Sequence, residues 1–568
     1  MRPSVLLFFL ALAAADPAPS AQVQVPAIFA DRMVLQRDAP IPVWGTAGTG
    51  ESVTVTFRSQ SVTTPAVGGQ WRVDLAAAPA SGPHVLTIEG ASNTITVTDV
   101  MVGEVWICAG QSNMRQRLDL YATGRAALPT ASRLNLRLLQ LDDSTLEWEY
   151  SSATTASGFS AIGFFFGREL AQQRFGGAVT VGMVQATDPG SLVEAWLPGG
   201  PLYEAQLRPI LPFGVRGVIW YQGEADANVG PGQPTRAQDY TSRFRRVIRE
   251  WRAGLDQAAL PFLYCQLPSY TRASGLWPVI REAQFDALNE PNTRMVGQVD
   301  VLATYIHPPN KLLMGQRLAV AADEIAYGQG TVGMGPIYDP SRSGPVGGEF
   351  VLAFSSTGSG LTAPGGPVDG FEIADGSMIF RPANARIEGD TVVVSEPTIA
   401  NPAAVRYAWG NTPEFSLFNA EGLPAAPFRT AAQYEPFGTP CDGGLGGKLE
   451  VVLLPRASRN YEQRLSSWQP SQPGALLLGS SDQTWSALPL PLELSVLRLP
   501  GCNLYVSIDA SVGFATSPTG DADITLPLPD TAAIHGIELF GQAALLCPGL
   551  TTPGLCLSNA GRAVVGPR

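Results

Sequence analysis

The chain has 568 residues, 45% of them apolar and only 15% charged, and its 37 basic and 49 acidic side chains leave a net charge of −12. At roughly 150 residues per domain this length suggests about four domains, and an acidic chain without a basic block argues against electrostatic binding of nucleic acid. Its three histidines, His84, His307 and His535, lie far apart, which argues against a multi-histidine metal centre.

Arg2 precedes the apolar run Val5–Leu12, and small-residue sites follow at Ala13-Ala14-Ala15 and Pro19-Ser20-Ala21. This pattern predicts a signal peptide over residues 1–21, the mature chain starting near Asp16 or Gln22. The run is shorter than the roughly 20 residues of a membrane span, and no later segment is long enough either. Six cysteines in an exported chain permit disulfides. Cys547 and Cys556 are near neighbours, and Cys441 with Cys502 would close a larger loop. Cys108 and Cys265 lie in apolar strand-like runs and read as buried thiols.

Residues 22–99 alternate apolar and polar positions in short runs such as Val53–Phe57 and Trp71–Leu75, which predicts an all-β sandwich. From 100 to 330 the rhythm becomes strand, loop, helix. Buried-strand candidates are Val105–Ala109, Leu136–Leu139, Val179–Val184, Gly217–Tyr221 and Phe262–Cys265. Tyr240, Phe244, Val247, Ile248 and Trp251 share one helical face. A second helix from Lys311 is expected to turn Leu312, Leu318, Ala322 and Ile325 inward. Such alternation implies a parallel α/β sheet with reactive groups at the carboxyl ends of its strands. Residues 331–430 return to β alternation, and 431–568 read as a separate Gly- and Pro-rich β module.

The first strand of the α/β region runs into Gly110-Gln111-Ser112-Asn113-Met114. A glycine permits a sharp turn there, and the serine that follows is exposed at a strand end with its N–H available to an oxyanion. Met114 departs from the pentapeptide with glycine two residues either side of the serine. Gln222 emerges where Gly217–Tyr221 stops and offers an amide donor, while Glu224 is suited to holding that loop through backbone N–H groups. His307 precedes Pro308, which restricts it, and it is the single histidine of residues 100–330. A fixed imidazole beside a serine is what general-base activation requires.

The blocks Gly103–Met114, Trp220–Glu224 and Ile306–Lys311 resemble the sialate O-acetylesterase family of the SGNH (GDSL-like) hydrolases. Phe29–Gln36, Glu194–Trp196, Glu250–Arg252, Arg281–Gln284 and Val405–Trp409 agree in order, so the resemblance covers roughly residues 25–430. It implies a flavodoxin-like three-layer α/β catalytic domain flanked by all-β sandwich domains, with no metal or organic cofactor. Ser112 would be the nucleophile and His307 the base. The oxyanion hole would use the backbone N–H groups of Ser112 and Gly190 and the side-chain amide of Gln222. The Gly190 region departs from the family's paired glycines and threonine, reading Asp188-Pro189-Gly190-Ser191. The triad acid three residues before the histidine is replaced by Thr304, and position 305 is Tyr305. Asp300 is the best remaining candidate, with a Ser–His dyad oriented by a backbone carbonyl as its rival.

Residues 438–566 resemble a β-rich module of exported bacterial proteins, through stretches such as Gly474–Ser481 and Pro500–Tyr505. No chemistry attaches to it; attachment, sorting and sugar binding stay open, and His535 reads as structural. The expected activity is a secreted or periplasmic serine esterase acting on O-acetylated carbohydrates, sialate or acetylated plant polysaccharide among them. The rival class is a glycan-binding or surface protein that has kept the scaffold and lost catalysis.

Overall fold

The longest strand joins two kinds of sheet. β1 (Thr94–Gly110) has 17 residues, alternating in exposure over its first half and buried throughout from Val102 onward. The computed structural model describes residues 22–565 apart from 134, 142–145, 228–239, 274–275, 376–378, 431–432, 442–446, 454, 456–459, 500, 530–533, 535–536 and 550–553. The signal-peptide reading and His535 therefore lie outside the described residues. The first half of β1 pairs antiparallel with Ser81–Glu89, and Val34–Gln36 lies parallel to Met101–Gly103. The same strand thus crosses the 99/100 boundary suggested by the change of sequence rhythm.

The second half of β1 is central in a parallel sheet. β2 (Leu136–Gln140), β3 (Val181–Thr187), β4 (Gly217–Tyr221), β5 (Phe262–Cys265) and β6 (Thr293–Val296) complete it in the order β6-β5-β4-β1-β3-β2. Strands covered on both faces read as continuous apolar runs rather than alternating ones, which is why the sequence marks five of the six. β6 is short and reads Thr-Arg-Met-Val, and it escapes that pattern. The strand order reverses at β1, because β2 and β3 lie on one side of it and β4 to β6 on the other.

Helices cover both faces. Trp106 meets Phe166 of α2 (Ala161–Glu169) edge to face, and a side chain at Gly163 of the same helix would press on the Cys108 sulfur. Trp220 is paired with Ala109 in register, which puts it on the opposite face. There it packs on Phe244 and Trp251 of α3 (Tyr240–Gly254), beside α4 (Trp277–Asp286). α5 (Lys311–Ile325) lies against α2 so closely that a Cβ on Gly315 would come within 2.6 Å of the Phe165 Cβ. Leu318 and Ala322 are buried as expected, but Leu312 and Ile325 are only half-buried. The inward face of α5 instead carries Lys311 and Arg317, both held by polar partners described below.

Residues 337–429 form antiparallel sheets around a separate core that includes Phe350, Phe354, Tyr407 and Phe428. The C-terminal part builds a five-stranded and a three-stranded antiparallel sheet. It carries two disulfides, Cys441–Cys502 and Cys547–Cys556, with Cα atoms 5.2 and 5.8 Å apart. Cys108 and Cys265 are buried and lie outside these disulfides, on β1 and β5 with β4 between them. Among the described residues no helix is long and apolar enough to cross a membrane.

Candidate active site

Three loops meet at the carboxyl end of the parallel sheet, around the point where the strand order reverses. Gly110 lies in register with Thr187 of β3 and with Tyr221 of β4, so residues 111–113, 188–191 and 222–224 leave the sheet side by side. Gly110 has φ +131°, and a Cβ there would sit 2.2 Å from the Tyr221 carbonyl oxygen. Only glycine permits that close approach. The Gln111 N–H then donates to the Tyr221 carbonyl and the Asp188 N–H to the Gly110 carbonyl, both at 3.0 Å. One turn of helix, α1 (Ser112–Arg115), begins at the serine.

His307 reaches Ser112 from the loop ahead of α5, whose N-cap is Asn310. Its Nε2 lies 2.9 Å from the Ser112 Oγ. Both residues are half-buried. Burial and the nearby Lys311 ammonium hold the imidazole pKa below its usual 6.5. The ring is therefore neutral at pH 7, the state a base requires.

Asp300 does not join this pair, and the expectation that it orients His307 is corrected. Its carboxylate is gripped by the Arg317 guanidinium, with Nη1 donating to Oδ1 at 2.9 Å, while the same Nη1 also donates to the Gly297 carbonyl at 2.8 Å. A planar guanidinium matches both oxygens of a carboxylate, and Asp300 is engaged in that fork. The His307 Nδ1 faces the side-chain amide of Gln116 instead, at 3.4 Å. Thr304 and Tyr305 are exposed.

The Gln222 amide is likewise not free to serve as the expected oxyanion donor. It is fully buried, and its Nε2 donates to the Ser191 carbonyl at 3.0 Å and to Asp226 Oδ2 at 2.5 Å. Its Oε1 accepts from the Tyr240 hydroxyl at 2.9 Å. An amide nitrogen has two hydrogens, and both are used. Gln222 thus braces the 188–191 loop, and Asp226 extends the brace by accepting from the Val193 N–H at 3.1 Å. Burial pushes the Asp226 carboxyl up to about 6. Gly190 adopts φ +79° at the exposed tip of that loop. Neither its N–H nor that of Ser112 has an acceptor among the described residues.

Beneath the serine lies a polar cluster that sequence reasoning recognised only in part. Glu224, fully buried, accepts from the side-chain amides of Gln111 and Asn113 rather than chiefly from backbone N–H groups. The Asn113 amide also donates to the Ile306 carbonyl at 2.9 Å, which ties the serine turn to the histidine loop, and its Oδ1 accepts from the buried Lys311 ammonium. Desolvation pushes the Glu224 carboxyl up to about 7 and the Lys311 ammonium down to about 7. Gln111, Asn113 and Lys311 are visible in the sequence only as polar residues adjoining the serine and the histidine. Their mutual contact spans about 200 positions.

A family model described as carbohydrate esterase, sialic acid-specific acetylesterase matches residues 102–323. The sialate O-acetylesterase of Homo sapiens is 28% identical over 373 residues, covering 52% of this chain and 70% of that protein. Its Rattus norvegicus counterpart is 24% identical over 433 residues, covering 58% and 78%. The crystal structure of a carbohydrate acetylesterase from Xanthomonas citri superposes with a TM-score of 0.66 at 37% identity, over 72% of this chain and 100% of that one. Fold, site and similarity together define a carboxylic ester hydrolase. More particularly, the chain belongs to the sialic acid-specific acetylesterase family of carbohydrate esterases.

Proposed function

We propose that this chain is an exported serine esterase of SGNH type that removes O-acetyl groups from carbohydrates through an acetyl-enzyme. The observation that carries this reading is the 2.9 Å contact between the Ser112 Oγ and the His307 Nε2 at the carboxyl end of the sheet. His307 takes the hydroxyl proton as Oγ attacks the acetyl carbonyl, then returns it to the departing sugar oxygen. Water, deprotonated by the same imidazole, releases acetate from Ser112. The Ser112 and Gly190 N–H groups serve the tetrahedral oxyanion, with Gln222 holding the Gly190 loop in place. Export is supported by the leader-like residues 1–21 and by the two disulfides.

The test is hydrolysis of a chromogenic acetyl ester by wild type and Ser112→Ala, followed by a panel of acetylated sugars that includes sialate and xylan types. Activity lost in Ser112→Ala supports the reading. An inactive wild type that still binds glycans would instead support the rival reading of a scaffold without catalysis, which Pro189 and the engagement of Asp300 by Arg317 motivate.

A further inference from the structure

A base at Nε2 needs its proton on the other ring nitrogen. If the neutral ring carries hydrogen on Nε2, that nitrogen donates to Ser112 and cannot accept from it. The imidazolium formed during attack carries hydrogen on both nitrogens, so Nδ1 then requires an acceptor. Asp300 is held by Arg317. Among the described residues, the polar group that meets Nδ1 is the side-chain amide of Gln116.

We propose that Gln116 takes the place of the triad acid, its Oε1 accepting the Nδ1–H of His307 and leaving Nε2 bare toward Ser112. This rests on the assignment of Ser112 and His307 as nucleophile and base. Gln116 is a positioning residue, since it acts through the imidazole. In the conformer observed, its Nε2 is the atom 3.4 Å from Nδ1, and its Oε1 accepts from the Tyr121 hydroxyl at 3.0 Å. A half-turn of the amide exchanges the two atoms. Both neighbours tolerate the exchange, because a phenol both donates and accepts and an imidazole changes tautomer. One amide orientation matches the resting ring with hydrogen on Nε2. The other matches the base and is the one compatible with the imidazolium.

Gln116 is built to remain at this post. Its backbone N–H closes the turn of α1 on the Ser112 carbonyl at 2.9 Å, and its carbonyl accepts from the Ala161 N–H at 2.8 Å. The amide is therefore anchored to the same turn as the nucleophile. The titratable groups around the ring are Lys311 from α5, whose ammonium also lies 5.8 Å from the Tyr121 ring centroid, Tyr121 itself, and Glu224 behind Asn113. Burial pushes the Tyr121 hydroxyl up to about 12, so it stays a neutral partner through the working range.

The experiment compares Gln116→Leu, Gln116→Glu, Ser112→Ala and wild type on a chromogenic acetyl ester, with kcat/KM followed from pH 4.5 to 9 and melting temperatures recorded. Gln116→Leu is expected to lower kcat about tenfold with little change in KM, the scale of one lost hydrogen bond. Gln116→Glu is expected to retain activity and to move the acid limb of kcat/KM upward by about one pH unit, since a carboxylate at Nδ1 favours the imidazolium. Glu224 and Lys311 titrate in every variant, so the displacement between variants is the reading that counts. A Leu variant with wild-type kcat, or a Glu variant whose acid limb stays put, overturns the inference while Ser112→Ala remains inactive. An active Ser112→Ala removes the nucleophile assignment and the inference with it.

Discussion

The two halves of the Ser–His pair are held in opposite ways. Ser112 follows a glycine locked against β4 and stands over Gln111, Asn113, Glu224 and Lys311, all buried. His307 sits on a loop whose neighbours Thr304, Tyr305 and Pro309 are exposed, tied back through the Ile306 carbonyl and the amide of Gln116. A nucleophile must meet an oxyanion hole with sub-ångström tolerance, whereas a base must also pass protons between serine, leaving group and water. On the proposed mechanism the contrast puts the buried polar brace at the bond-forming atom and the more exposed loop at the proton carrier.

The sharpest way to test that contrast is to remove each partner. Ser112→Ala and His307→Ala should each lower kcat by at least about 10⁴-fold, the scale of losing a triad member, measured on a chromogenic acetyl ester. The serine variant should keep the wild-type melting temperature, because Oγ carries no packing. Glu224→Ala attacks the braced half. It strips the acceptor from the buried amides of Gln111 and Asn113, so chemical denaturation should show a loss of about 1–3 kcal/mol along with lost activity.

The same residue gives a pH test. The folded state keeps the Glu224 proton up to about 7, while the unfolded chain releases it near 4.5. The native state therefore binds more protons across that window, and Glu224 lowers stability as pH rises through it. Glu224→Gln should flatten that part of the stability profile. On the histidine side, a depressed His307 pKa means that kcat/KM falls only below the usual imidazole range as the pH is lowered. The smallest effect is expected from Asp300→Asn. Its kcat should change by less than about tenfold, while the loosened Arg317 pair costs about 1–3 kcal/mol of stability.

What was legible in the sequence follows the same divide. The strands Gly217–Tyr221 and Phe262–Cys265 stand out because burial on both faces makes a continuous apolar run, and α3 stands out because its five core residues share one face. Ser112 and His307 were marked by glycine, proline and family pattern, which are local signals. The assignments that failed were pairings. Nothing near Asp300 in sequence announces Arg317, 17 residues on, as its partner, and nothing near Gln222 shows that Ser191 and Asp226 consume its amide. Lys311 reads only as the start of a helix until the fold closes Asn113 over it.

The continuous strand Thr94–Gly110 has a mechanical consequence. Its 17 residues pass through a bulged stretch around Asp99, whose φ of +55° bends the strand, and Ser112 lies two residues beyond its tip. Its root is clamped by Ser81–Glu89 on one edge, and its middle by Val34–Gln36. The β layer before it is a footing for Ser112 rather than a detachable attachment, because one strand pairs in both sheets on either side of that bend. A cut or graft placed at residue 100 would sever the strand one residue past the bend, and a truncation ahead of Val34 would strip away the Met33 carbonyl that accepts from the Met101 N–H and the Asp31 carboxylate that accepts from the Thr98 N–H.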